Sequence, residues 1–372
     1  MATQQQNIGE VLQFFNEARR PVKSSDRVPG PFPYLGASGT VDYVEGFTHE
    51  GSYLCVSEDG ANLLTRSLPI AWVQDGKFWA NNHLQVLGGV SREHLTFFRY
   101  AIESTNIAAY VTGSAQPKLS KASLSSVKVP KFSRGEEERI GKLLSAIDDK
   151  TVANQTSISK IDEILRALWQ KELSLGSIDV PLSSLASFIN GKAFTKGASG
   201  TGRVVVRIAE MNSGIGSRTI YSDIDAAPDN VVDPGELLFS WSGTLMTKRW
   251  PYDQAIVNQH IFKAVPNGQL DLWALRQAID AQLEYFQMIA AGKATTMGHI
   301  KRGDLDQEVE VPAQMSEETN QLGNSLWRLA TSLEIQNLQL ARTRDELLPL
   351  LMSGRITVGE AEDAADEAAS ES

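Results

Sequence analysis

Residues 77–83 read KFWANNH and residues 255–260 read AIVNQH. Each run ends an apolar stretch with an asparagine, one further residue and a histidine: Asn81 to His83, then Asn258 to His260. An imidazole can take up a proton or ligate a metal. A metal site needs several such ligands at convergent spacing, and His49, His83, His94, His260 and His299 form no His-X-His or His-X3-His pattern. The single cysteine, Cys55, excludes an internal disulfide and a cysteine-rich zinc site. No metal is therefore expected.

Other catalytic and nucleotide-binding patterns fail on spacing. GASGT (36–40) is one residue out of step with a Gly-X-Ser-X-Gly nucleophile elbow. GKATT (292–296) resembles the end of a phosphate-binding loop, but Gln287 stands where the loop needs its first glycine. GASGTG (197–202) lacks the closing Gly-Lys-Ser/Thr and reads as a mobile loop. No Asn/Asp-Pro-Pro-Tyr/Phe run appears, so the chain is not itself an adenine methyltransferase. No catalytic residue is assigned. Phe78 and Trp79 are expected in the core, with Asn81, His83, Asn258 and His260 as structural landmarks that hydrogen-bond neighbouring strands or loops.

The elements that would hold these landmarks come from a chain of 372 residues with 42% hydrophobic and 22% charged content, enough for two packed domains. No basic segment leads into an apolar run at the start, and nowhere do 18 apolar residues follow one another. A cytoplasmic protein is expected. The net charge of −10 is unevenly spread, because residues 360–372 hold six acids and no base. Residues 1–135 carry 13 bases and 11 acids, and residues 174–315 carry 12 and 15. Both domains are near neutral, so the net charge does not argue against a nucleic-acid partner.

A repeat organises the chain. Ile140, Leu144, Ile147, Thr151, Asn154, Ile158, Ile161, Leu165 and Leu168 alternate spacings of four and three, as in a heptad seam. Adding 182 to each number yields Leu322, Leu326, Leu329, Leu333, Gln336, Leu340, Thr343, Leu347 and Leu350. Val129–Pro130 and Val311–Pro312 would close a strand before each ladder, and Glu136 to Glu138 and Glu317 to Glu318 suit a helix start. Each helix would be roughly 55 Å long. The pair is expected to form an antiparallel intramolecular coiled coil; two unrelated amphipathic helices packed on their own domains are the alternative. Upstream, IGEVLQFFNEAR (8–19) aligns with LSSLASFINGKA (182–193), and strand-like runs (52–63, 236–245) alternate with helical stretches (91–111, 270–291).

The expected fold class is α+β: two mixed α/β domains joined by two long helices with a pseudo-two-fold repeat. The boundaries read as a first domain at 1–135, a helix at 136–173, a second domain at 174–315, a helix at 316–355 and an acidic disordered tail at 356–372. Two similar domains on a stiff spacer suit a target with two half-sites, of which duplex DNA is the commonest.

Here the sequence resembles a known family, the specificity subunit of type I restriction-modification systems. In the first copy the resemblance is carried by PYLGASGTVDYVEG (33–46), SEDGANL (57–63), GKFWANNHLQVL (76–87) and GSAQPKLSKASLSSVKVP (113–130). In the second it is carried by INGKAF (189–194), LLFSWSGT (237–244), IVNQHIF (256–262) and MGHIKRGDLDQEVEVP (297–312). It extends to about residue 355, and the Ala-Glu-Asp-rich tail departs from it.

The resemblance implies two target recognition domains reading a bipartite site on double-stranded DNA. It also implies docking of two methyltransferase subunits that use S-adenosylmethionine to methylate adenine, with no cofactor in this chain. A translocating restriction subunit can join such an assembly. Lys118, Lys121, Lys301 and Arg302 lie in matching loops before each helix, as phosphate contacts or as solvated charges. Arg66 and Lys77, and Arg203, Lys248 and Arg249, are expected to contact bases or backbone, with Ser38, Ser240 and Ser242 adding smaller bonds. Two readings from other classes stand beside this one: a cytoplasmic coiled-coil scaffold with duplicated protein-binding domains, and an enzyme built around the Asn-X-His pair.

Overall fold

The computed structural model describes residues 4–113, 115–292 and 298–361. Two compact units divide the chain: residues up to 150 together with those from 340 onward form unit 1, and residues 151–339 form unit 2.

Unit 1 contains two four-stranded sheets. One runs Gln13–Phe14, Leu84–Gly88, Tyr53–Ser57, Ala71–Gln74, antiparallel throughout. The other runs Gly39–Val44, Pro29–Gly36, Lys77–Ala80, His49–Glu50, with a parallel central pair, Tyr34 opposite Trp79. The helix Arg92–Ser104 buries Leu95, Phe97, Phe98 and Ile102, apolar positions at helical spacing, and Ser91 caps it by accepting from the His94 N–H.

Unit 2 repeats this plan strand for strand. Its antiparallel sheet runs Ala186–Asn190, Ile261–Pro266, Leu237–Ser240, Met246–Arg249. Its mixed sheet runs Tyr221–Ser222, Arg203–Val206, Ala255–Val257, Val231–Val232, and its parallel central pair sets Val206 opposite Val257. In each unit a short two-stranded ribbon, Gln5–Asn7 with Lys128–Pro130 or Ser177–Pro181 with Glu308–Pro312, precedes a long helix.

The long helices span Arg134–Leu175 and Glu317–Met352. In unit 1, Ile140 and Leu144 share a core with Leu347, Leu351 and Phe98, and Ile147 is buried. In unit 2, Ile158, Ile161 and Leu165 are buried, while Leu168, Leu326 and Leu333 are half-buried against the core. Leu340 and Leu350 are half-buried. Within unit 2 the helices run antiparallel, since Asn154 meets Gln336 while Glu172 meets Thr319.

Two seam expectations are corrected. Leu322 and Leu329 are 46% and 49% exposed. The buried stripe there is rotated by one residue, to Gly323, Trp327 and Ala330. Two tryptophans explain it: Trp273 presses on Gly323 and donates to Asn320 Oδ1 (2.9 Å), and Trp327 donates to the Gly235 carbonyl (2.9 Å). Anchoring to the unit 2 core therefore sets the rotation of this half of the helix.

The tail also differs from expectation at its start. Residues 358–361 are helical, and Ile356, Val358 and Ala361 pack on the unit 1 core, so apolar burial holds this stretch in place. Residues 362–372 of the expected disordered tail lie outside the described residues, as do 293–296 of GKATT.

Candidate nucleic-acid interface

The repeat persists at the level of single backbone hydrogen bonds. After the central parallel pair the chain turns, and Asn81 N–H donates to the Leu35 carbonyl as Asn258 N–H donates to that of Val206, both at 3.1 Å. Glu58 N–H reaches the His83 carbonyl as Trp241 N–H reaches that of His260, both at 3.0 Å. Leu119 N–H then bonds the Glu58 carbonyl at 2.7 Å, as Ile300 N–H bonds that of Trp241 at 3.1 Å. One scaffold thus places Glu58 and Trp241, and His83 and His260, at equivalent positions.

The landmark amides are buried and structural. Asn81 Oδ1 accepts from the His83 N–H at 2.8 Å, closing its own turn. Asn258 Oδ1 accepts from the Phe194 N–H at 3.0 Å, tying the turn to a separate loop.

In unit 1 the scaffold carries a balanced ionic cluster. Buried Glu58 receives Arg19 at 2.7 Å, Lys118 at 3.1 Å and the Gln85 amide at 2.9 Å. His83 Nδ1 lies 2.7 Å from Asp59 Oδ2. Lys121 is exposed, its ammonium 5.3 Å from the Phe14 ring centroid.

In unit 2 the same scaffold opens into a cleft of about 1060 Å³. Trp241 and Phe262 give it aromatic walls, their centroids 5.8 Å apart. Exposed His260 tilts over Trp241, ring centroids 4.9 Å apart, and holds a left-handed backbone (φ 74) that non-glycine residues seldom adopt. His299 meets the far edge of Trp241 at 6.4 Å. Trp241 Nε1 donates to Asn190 Oδ1 at 2.9 Å. At one side Arg207 grips Glu210 at 2.6 Å. Burial opposes ionisation of Glu210, yet the bonds from the Arg207 side chain and N–H hold its pKa below the usual carboxylate range. Lys301 and Arg302 form an exposed cationic rim.

The other expected contacts are scattered. Ser38 is exposed on the turn between Pro29–Gly36 and Gly39–Val44. Lys77 is exposed, 3.7 Å from Glu50 and over the Phe47 ring. Lys248 is half-buried, and Arg203 is spent on Gln254 and the Ile224 carbonyl. Ser242 is buried at the cleft, its backbone bridged to His299.

Three assignments need correction. Arg249 is 2% exposed, 2.8 Å from Glu334 and 3.6 Å from Asp162, with its guanidinium over Trp327; it braces the helices of unit 2 and cannot reach a ligand. Ser240 is fully buried, its hydroxyl donating to the Thr244 carbonyl and accepting the Met246 N–H. Arg66 has its guanidinium bound to the Glu103 carboxylate (2.9 Å) and carbonyl (2.6 Å). Sequence reasoning missed Trp241 and His299 as members of the site. A tryptophan set between Ser240 and Ser242 at a strand end was the available signal for the first.

Comparison with known proteins matches residues 3–163 to the type I restriction modification DNA specificity domain. A Haemophilus influenzae protein assigned as a type I restriction enzyme specificity subunit is 39% identical over 140 residues, which is 38% of this chain and 36% of that protein. The chain thus matches about a third of that relative's length. The crystal structure of the type I restriction-modification S subunit from M. genitalium superposes with a TM-score of 0.64 at 14% identity, covering 94% of this chain and 96% of that one. That likeness speaks for the fold over both units, as the family match speaks for the first. Residues 3–163 thus match the DNA specificity domain of type I restriction-modification systems, and the chain over both units has the fold of an S subunit of such a system.

Proposed function

We propose that the chain reads a bipartite DNA sequence, one half per unit, as the non-catalytic subunit of a DNA adenine methyltransferase and restriction assembly. The observation that carries this reading is the duplicated scaffold: two units with the same strand order and backbone bonds, presenting different side chains at equivalent places. Constant scaffold with variable side chains is what reading two different half-sites demands. In this reading two methyltransferase subunits dock on the long helices and carry S-adenosylmethionine, and a restriction subunit can join. Val152 and Ile164 (64% and 45% exposed), with Leu322 and Leu329, supply apolar surface on the helices for such docking. The near-neutral balance of residues 1–135 and 174–315 fits too, because partner subunits can supply phosphate contacts. A cytoplasmic setting follows from this role, and among the described residues no helix is long and apolar enough to cross a membrane.

The test is a mobility shift with the chain and its co-purified methyltransferase partner, repeated across salt concentrations. A sequence-specific complex is expected. The double variant Lys301→Ala, Arg302→Ala should weaken binding and lower the slope of log affinity against log salt by at least about 1, roughly one unit for each phosphate that is no longer neutralised. Absence of any sequence-specific shift would favour the protein scaffold instead.

A further inference from the structure

We infer that the unit 2 cleft recognises a guanine in its half-site, reading the acceptor-rich major-groove edge with His260 and Arg302 and holding the adjacent phosphate with Lys301. This rests on the DNA-reading role proposed above and specifies its chemistry. Among the described residues, no aspartate or glutamate lines the cleft. Its two asparagine acceptors are already spent, Asn190 Oδ1 on Trp241 and Asn258 Oδ1 on Phe194. Arg207 is held by Glu210. Apart from Gln259, His299 and the small hydroxyls, the polar side chains that face a ligand are His260 and the two rim cations. Gln259 and the small hydroxyls leave such a surface some acceptors for a cytosine N4 or adenine N6 amino group, but the two permanent cations at its rim can only donate and tilt it toward a base edge rich in acceptors. The surface complements guanine, which presents N7 and O6 as acceptors in the major groove.

Geometry supports His260 as the reader. Its left-handed backbone and its packing on Trp241 hold the ring at the mouth of the cleft, so little side-chain freedom remains to be lost on binding. The equivalent place in unit 1 has the opposite character. There Glu58 and Asp59 occupy the positions of Trp241 and Ser242, and His83 is bound to Asp59. The two units therefore present different chemistry from one backbone frame, and a guanine-reading cleft belongs to unit 2 alone.

The experiment uses the full chain in its co-purified assembly and a pool of duplexes with randomised positions. Selection should return a half-site with one invariant guanine, and His260→Ala or Arg302→Ala should relax that position by about tenfold while leaving the other half unchanged. The selected duplex is then remade with 7-deazaguanine, which lacks the N7 acceptor. Wild type should lose about tenfold in affinity, and the more affected of the two variants should lose little more. A half-site without guanine, or a 7-deazaguanine penalty equal in wild type and both variants, overturns the inference while leaving DNA reading intact. No sequence preference in the pool overturns both. Thermal unfolding of each variant, expected to match wild type because both side chains are exposed, separates lost reading from lost folding.

Discussion

Asn154 and Gln336, partners across the 182-residue repeat, also touch: Asn154 Nδ2 donates to Gln336 Oε1 at 2.8 Å and to Asn337 Oδ1 at 2.9 Å. A polar step in an apolar seam costs stability but fixes register and orientation. Asn154→Ala should cost about 1 kcal/mol, because two amide acceptors lose their donor. Replacing both Asn154 and Gln336 by leucine should raise the unfolding midpoint in denaturant while weakening the sequence-specific shift. An unchanged shift in the leucine pair would deny the amides a role in register.

Gly141 and Gly323 are likewise 182 residues apart, and each lies where a domain helix crosses a long one. A Cβ on Gly141 would fall inside contact distance of the Glu93 carbonyl oxygen, and one on Gly323 would strike the Trp273 indole. Alanine normally stabilises a helix by about 1 kcal/mol over glycine. Here Gly141→Ala and Gly323→Ala should instead destabilise by about 1–3 kcal/mol through overpacking, measured by denaturant unfolding.

Arg249 provides the strongest test of which cations face DNA. Arg249→Met should destabilise unit 2 by about 3 kcal/mol, since Glu334 and Asp162 lose their buried cation. The salt slope of DNA binding by the folded fraction should not change. A reduced slope would return Arg249 to the DNA surface.

Glu172 gives a pH dependence. Its carboxylate is held below the usual range by the Thr319 hydroxyl and, against the opposing effect of burial, by the N–H and hydroxyl of Ser316. A depressed folded-state pKa means stability that is present above the ordinary carboxylate value and lost as pH falls through the depressed one. Denaturant midpoints of wild type and Glu172→Gln should therefore differ most near neutrality and converge below about pH 4. A gap that widens on acidification would reverse the assignment.

The architecture was legible because its signals are periodic. Heptad spacing and the Val-Pro strand ends survive as elements, and the paired Asn-X-His runs as equivalent turns after a strand. The rotation of the second helix was not legible, because Leu322 fits a heptad as well as Gly323 does, and only the three-dimensional position of Trp273 decides between them. The glycine pair was in plain view in IGKLL and LGNSL but carries no hydrophobic signal. The cleft failed for another reason. Trp241, His260 and Arg302 come from three separate segments, and residue type alone does not separate an arginine at a rim from one, like Arg249, inside an ion pair.

The division of the chain has a consequence for synthesis. Unit 2 is complete once residue 339 has left the ribosome, whereas the core of unit 1 still waits for Leu347, Leu351, Met352 and Ala361. Domains generally fold in the order they emerge. In this chain the first unit to be translated is the last able to close, so its exposed apolar surface must be shielded for as long as the second takes to be made.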